Sequence, residues 1–184
     1  MDDRRALRIT LWLIAAALLL ESVLGSLGRT LVEMPSWRHL GVEAWAAFSR
    51  GADLGMGKVI YPIAGIGGTV LLFGAAVAYR LSPHRQSAVA IPVYGAALMS
   101  VCILLTTTQA APKMLSLQRI GADPALLQRA FDGFYKWDSI RAVFGALAGC
   151  AAIWALAAVA SAVSSRGAHT PAAGDPLQDD YSKS

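Results

Sequence analysis

Eight side chains able to do acid–base or polar chemistry fall at the ends of long apolar runs: Glu21, Lys58, Tyr61, Thr106, Gln109, Trp137, Asp138 and Arg141. Glu21 and Asp138 are candidate bases, and Arg141 or Lys58 could stabilise a developing oxyanion. Tyr61, Thr106, Gln109 and Trp137 supply neutral donors that orient a bound molecule. An ionisable group inside a membrane helix costs about 2.5–3.5 kcal/mol at mid-span on insertion scales, so it is found paired or lining a cavity. Glu21 comes late in the first apolar run, Lys58 and Tyr61 early in the second. Gln109 comes late in the third, and Arg141 early in the fourth. If successive helices alternate in direction, all of these ends meet at one end of a bundle. Two readings follow. The groups open a pocket for a hydrophobic or aromatic small molecule, the usual kind of site between bundle helices. Alternatively, Glu21 closes on Arg141 or Lys58 as a structural ion pair.

Other chemistries find less support. His39 and Glu43 lie four apart on one helix face, with Glu33 and Asp53 flanking. A single histidine without a paired-His motif reads as a solvated face, so no metal is expected. Cys102 and Cys150 belong to no CxxC pair and read as small buried hydrophobes. The glycine clusters Gly65-Ile-Gly67-Gly68 and Gly145-Ala-Leu-Ala-Gly149 lie inside apolar runs, where they serve packing rather than phosphate binding. No cofactor motif is present, and none is expected. The +4 net charge is dispersed, without basic tracts interleaved with aromatics, which argues against nucleic acid as a partner.

The elements that would position these groups are membrane helices. Of 184 residues, 55% are apolar and only 15% charged, against about 25% charged in soluble domains. Mean hydropathy is +0.49. Four runs reach the roughly 20 residues a bilayer requires: 7–27, 59–79, 89–109 and 140–163. Arg4, Arg5 and Arg8 ahead of an apolar core, with Ser22-Val23-Leu24-Gly25 after it, also match a secretory signal. The length of the run and Glu21 within it favour an anchored span. Each predicted span carries a stripe of small residues for close helix approach, which makes a homo-oligomer an open expectation. Four spans put both termini on one side. The arginines just before the first span and the Arg80–Arg85 hairpin place that side in the cytoplasm of a multi-pass cell-membrane protein, although the raw Lys/Arg count leans the other way.

The first and third connections are long enough for helices of their own. In the first, Trp37, Leu40, Ala44, Trp45 and Phe48 recur at helical spacing, opposite Arg38, His39, Glu43, Ser49 and Arg50. This predicts one helix lying flat on the bilayer, with Trp37, Trp45 and Phe48 as interfacial anchors. In the third, Asp123-Pro124 is a helix start, and Leu127, Ala130, Phe131 and Phe134 share a face of the helix that follows. A bend is expected at Gly133. The expected fold class is therefore all-α: an integral membrane four-helix bundle with two interfacial amphipathic helices in its long loops. It occupies residues 1–163, and a polar, disordered tail follows over 164–184.

The stretch Phe131-Asp-Gly-Phe-Tyr-Lys-Trp137-Asp138-Ser-Ile-Arg141-Ala142 resembles the corresponding part of a family of small four-span membrane proteins that includes the fungal anthrone oxygenases. Tyr61-Pro62 and Ala111-Pro112 are looser similarities, and the long first and third connections match in topology. The resemblance implies oxidation of a polycyclic phenolic substrate without metal or flavin, with Glu21 or Asp138 as base and Arg141 stabilising the phenolate. The histidine expected of such a base inside the membrane has no counterpart here. A purely structural or assembly subunit of a membrane complex is the other class of function the pattern allows.

Overall fold

The structure, a computed structural model, describes residues 3–24, 28–83 and 86–167, the side chains of 3–4, 19–24, 163 and 165–167 excepted. It is all-α. Six α-helices are α1 (Asp3–Leu24), α2 (Met34–Leu40), α3 (Val42–Gly51), α4 (Gly57–Arg80), α5 (Ser87–Ser116) and α6 (Pro124–Gly167), with a π-helical turn at Arg29–Glu33 leading into α2. Helix α1 packs on α4 and α6, α4 on α5, and α5 on α6, which closes a ring of four. Neighbours are antiparallel. Thr10 meets Ala75, Thr69 reaches Ser100, and Gly95 faces Ala151 while Gly133 faces Lys113.

Among the described residues, three helices are long and apolar enough to cross a membrane: α4, α5 and the part of α6 from Pro124 to Ala162. The sequence reading counts four. Helix α1, with Arg4, Arg5 and Arg8 in its first turns and Glu21 near its end, is not among the three. The bundle core is built largely of small residues: Ala17, Ala75, Ala76, Ala96, Ala97, Ala152, Ala155 and Ala162, with Leu7, Ile14, Val93 and Val159 between them. Such residues let helix backbones approach closely.

Two expectations about the loops change. The helix expected in the third connection is not a separate element. Asp123 caps its start by accepting from the amides of Ala125 (2.9 Å) and Leu126 (3.3 Å), and the helix then runs unbroken through Gly133 into the last span. Its 44 residues make a rod of about 66 Å, roughly twice the hydrocarbon thickness. The stem of Lys113 lies 3.4 Å from where a Gly133 side chain would begin, so this glycine serves close approach of α5. Helix α5 also continues past Pro112 to Ser116. Together, α5 and α6 project beyond the bundle as a hairpin. The same rod runs four residues past the predicted end of the membrane domain, to Gly167, and the rest of the predicted tail (168–184) lies outside the described residues.

The helix expected in the first connection is two helices. Gly41 joins them at φ +92°, a left-handed conformation that glycine adopts without strain. The turn folds α3 back so that α2 and α3 clothe the hairpin. A second core results, from Met34, Trp37, Trp45 and Ala46 on one side and Ala110, Met114, Leu117, Leu127, Ala130, Phe131 and Phe134 on the other. Trp45 is fully enclosed and Trp37 nearly so, and Trp45 packs edge-on against Phe131 with ring centroids 5.1 Å apart. These two indoles are protein core, not bilayer anchors. Of the three predicted anchors only Phe48 is exposed, and the outward-facing tryptophans are instead Trp12 and Trp154. Cys150 likewise faces outward and Cys102 is half-buried, so neither is the enclosed thiol expected. Trp45→Ala should cost about 3–5 kcal/mol of stability and Phe48→Ala less than about 1.5 kcal/mol, measured by thermal unfolding in detergent. Equal effects would place Trp45 at a surface.

Candidate functional site

The structure brings a different set of groups together from the one the sequence singles out. Its centre is Arg29, carried on the π-helical turn and 7% exposed. Its Nη1 donates to Oδ1 of Asp53 at 2.6 Å and its Nη2 to Oδ2 at 2.8 Å, a bidentate fork. Nη1 also donates to the Tyr61 hydroxyl at 3.1 Å, and that hydroxyl donates to Asp53 Oδ1 at 3.1 Å, closing a triangle. Three rings surround the guanidinium: Trp37 and Tyr61 with centroids at 5.4 Å and Phe134 at 5.3 Å. Each desolvated contact of this kind is worth up to about 2 kcal/mol.

Local structure explains the convergence. The fold-back at Gly41 returns the chain to the level of Arg29, and Asp53 lies in the turn that follows α3. Gly55 is required in that turn, because a Cβ there would stand 2.3 Å from the carbonyl oxygen of Gly51. At Gly57 a Cβ would stand 2.7 Å from the Tyr61 ring, so glycine leaves the ring room to lie against the first turn of α4. Burial by itself opposes charge on Arg29. The hydrogen bond and negative charge of Asp53, with smaller help from Tyr61 and Asp138, outweigh it and hold the guanidinium above its ordinary range. It is a permanent cation.

Asp138 is also buried, on α6, and pairs with Arg141 one turn along the same helix. Arg141 therefore closes on its own helix. The side chain of Glu21, its expected partner, lies outside the described residues. Tyr61 belongs to the Arg29 cluster. Trp137 is half-buried against the second core, and Lys58 and Gln109 are exposed. Thr106 is buried, but its hydroxyl donates to the carbonyls of Cys102 and Ile103 on its own helix. The predicted set is thus divided, and among its described side chains Tyr61, Asp138 and Arg141 take part in the polar cluster.

The sequence reading left Arg29 as one cation among many in the loops and Asp53 as a flank of a metal site. What would have pointed to them is the glycine punctuation at positions 41, 55 and 57, which fixes where the chain reverses. Arg50 is a further strap. It donates through Nε to Leu117 O (3.2 Å) and through Nη2 to Ile120 O (2.6 Å) and Gly121 O (2.8 Å), satisfying carbonyls at the end of α5. Arg38 stacks on Tyr135 with its Cζ 4.4 Å from the ring centroid, tying α2 to α6. Among the described residues no three His, Cys, Asp or Glu side chains gather with metal-binding geometry. His39 and Glu43, the pair weighed for that role, form part of no such group.

No family model, curated protein or solved structure matches the chain.

Removing one partner of a buried pair leaves an uncompensated charge. Arg29→Met should therefore cost about 3–5 kcal/mol, whereas the double change Arg29→Met with Asp53→Leu should recover most of that loss. The comparison is made by thermal unfolding of the two variants beside the parent. Gly57→Ala should displace the Tyr61 ring and cost about 1–3 kcal/mol, whereas Tyr61→Phe, which keeps the ring and removes only the hydroxyl, should cost less; equal losses would mean that only the hydroxyl matters.

Proposed function

We propose that this chain is a four-span protein of the cell membrane, with α1 as the fourth span, that acts as a structural or assembly component. On this reading its polar end is a latch holding a water-side cap on the bundle. One observation carries it. The buried charged side chains among the described residues are Arg29, Asp53 and Asp138, and each is closed on a partner within the protein. A general acid or base has to reach the substrate proton, directly or through one water, and these groups are spent on one another. Lipid-facing apolar side chains along α4, α5 and α6, such as Val70, Phe73, Leu98, Leu105, Val143 and Ile153, fit a bilayer environment.

A second reading, a small-molecule pocket under the cap, draws support from a specific feature. Arg29 Nε, Trp45 Nε1 and Ser49 Oγ are buried without a hydrogen-bond partner, and Phe134 lies against both Arg29 and Trp45. On this reading the cap opens to admit a flat, hydrogen-bonding guest, as the resemblance to the anthrone oxygenases implies, with Asp138 as base and Arg141 as its electrostatic partner.

Titrating anthrone into the purified protein separates the two. The structural reading expects no saturable quenching of tryptophan fluorescence and no oxygen uptake. Saturable quenching that is lost in Arg141→Gln would overturn it in favour of the pocket. The span count and orientation have their own test, with Asp3→Cys, Gly51→Cys, Pro83→Cys and Gly121→Cys made singly in a background lacking Cys102 and Cys150. In intact cells a membrane-impermeant maleimide should label positions 51 and 121 but not 3 or 83. Labelling of 3 together with 51 would show that α1 does not cross, and the reverse pattern would invert the protein.

A further inference from the structure

We infer that the groove between α4 and α5 is a binding site for one acyl chain of an anionic glycerophospholipid, whose phosphate is held by Arg80. The inference rests on the membrane reading above and adds a ligand to it. The groove has a volume of about 340 Å³ and is lined by apolar side chains except at one end, where Arg80 stands. Phe73, Val77, Leu98 and Val101 form its length, and Tyr94 lies beside the Arg80 end. From Arg80 to Phe73 along α4, and from Tyr94 to Val101 along α5, is seven residues, about 10 Å at 1.5 Å per residue. The groove therefore runs parallel to the helices, from the end of a span to about a third of the way through a hydrocarbon core of about 30 Å. That is the course of a lipid chain.

The charged end is fixed by the fold. Tyr79, buried at the end of α4, donates its hydroxyl to Gln86 O (2.7 Å) and accepts from Gln86 N (2.8 Å), clamping the short turn into α5. Its ring meets that of Tyr94 edge-on at 6.3 Å. The clamp sets Arg80 and Tyr94 at one level, where arginine and tyrosine occupy the headgroup region. Arg80 is exposed, and no ion pair or hydrogen bond to it occurs among the described residues. A guanidinium matches a phosphate as a planar fork. A zwitterionic lipid brings its own ammonium to that phosphate, so an arginine with no ion pair among the described residues favours the anionic headgroup.

The test uses the full chain in mixed micelles containing equal phosphatidylglycerol and phosphatidylcholine with the same acyl chains. Lipid retained after purification is measured by mass spectrometry, and thermal unfolding is measured with each lipid alone. The parent should retain phosphatidylglycerol over phosphatidylcholine by about fivefold, the discrimination expected of one basic side chain at the surface. It should also unfold at a higher temperature with phosphatidylglycerol. Arg80→Gln should bring retention to parity, Arg80→Lys should keep a preference, and Leu98→Trp, at an exposed lining position, should lower retention of both lipids. Glycerol 3-phosphate, a headgroup without chains, should not stabilise the protein. Equal retention by the parent, or a preference unchanged in Arg80→Gln, would overturn the site. Stabilisation by glycerol 3-phosphate alone would reduce it to an anion site. A dimer that dissociates in Leu98→Trp whatever the lipid would assign the groove to a second copy of the chain. A chain that stays in solution without detergent would instead overturn the membrane reading.

Discussion

A guanidinium buried among three aromatic rings is tolerable only with a carboxylate in bidentate contact, and the Arg29–Asp53 pair sets the terms for everything around it. Residue 29 precedes the cap and residue 53 follows it, so the pair closes the segment into a loop whose ends are joined by charge. Tyr61 extends the closure to α4, and Phe134 extends it to α6. Without the pair, α2 and α3 would still present an apolar face to the hairpin and keep the Arg50 and Arg38 contacts, but would lose the buried polar tie that joins the two ends of the cap. Apolar contact supplies most of the free energy here, while the ion pair ties residue 29 to residue 53 across the cap.

The molecule solves two packing problems by different means. Inside the bundle, alanines and glycines let helices touch almost backbone to backbone, and Thr10 and Thr69 return their hydroxyls to carbonyls of their own helices while approaching a neighbour. In the cap, large aromatic and sulfur-containing side chains fill the space between short helices and the hairpin. The change from alanine to tryptophan and phenylalanine along α6 therefore marks the passage from one core to the other.

Much of this could be read from the sequence, and the part that could not has a definable cause. Period and hydropathy give the long helices and the helix start at Asp123-Pro124, because each depends on near neighbours in the chain. The fate of Trp37 and Trp45 could not be read the same way. An amphipathic face is equally satisfied by lipid and by another helix, and the long reach of α5 and α6 decides for the helix. Arg29 and Asp53 are 24 positions apart, and only the reversal at Gly41 brings them together. Arg141 could be paired with any carboxylate at that end on sequence alone, and the nearest one, a single turn away on α6, takes it.

The unbroken course of α6 has a mechanical consequence. A 44-residue helix that continues unbroken through Gly133 packs in the bundle along one part and carries the cap along the other. Rigid helices tilt as units, so a small rotation of the buried part swings the cap through a displacement that grows with the length of the arm.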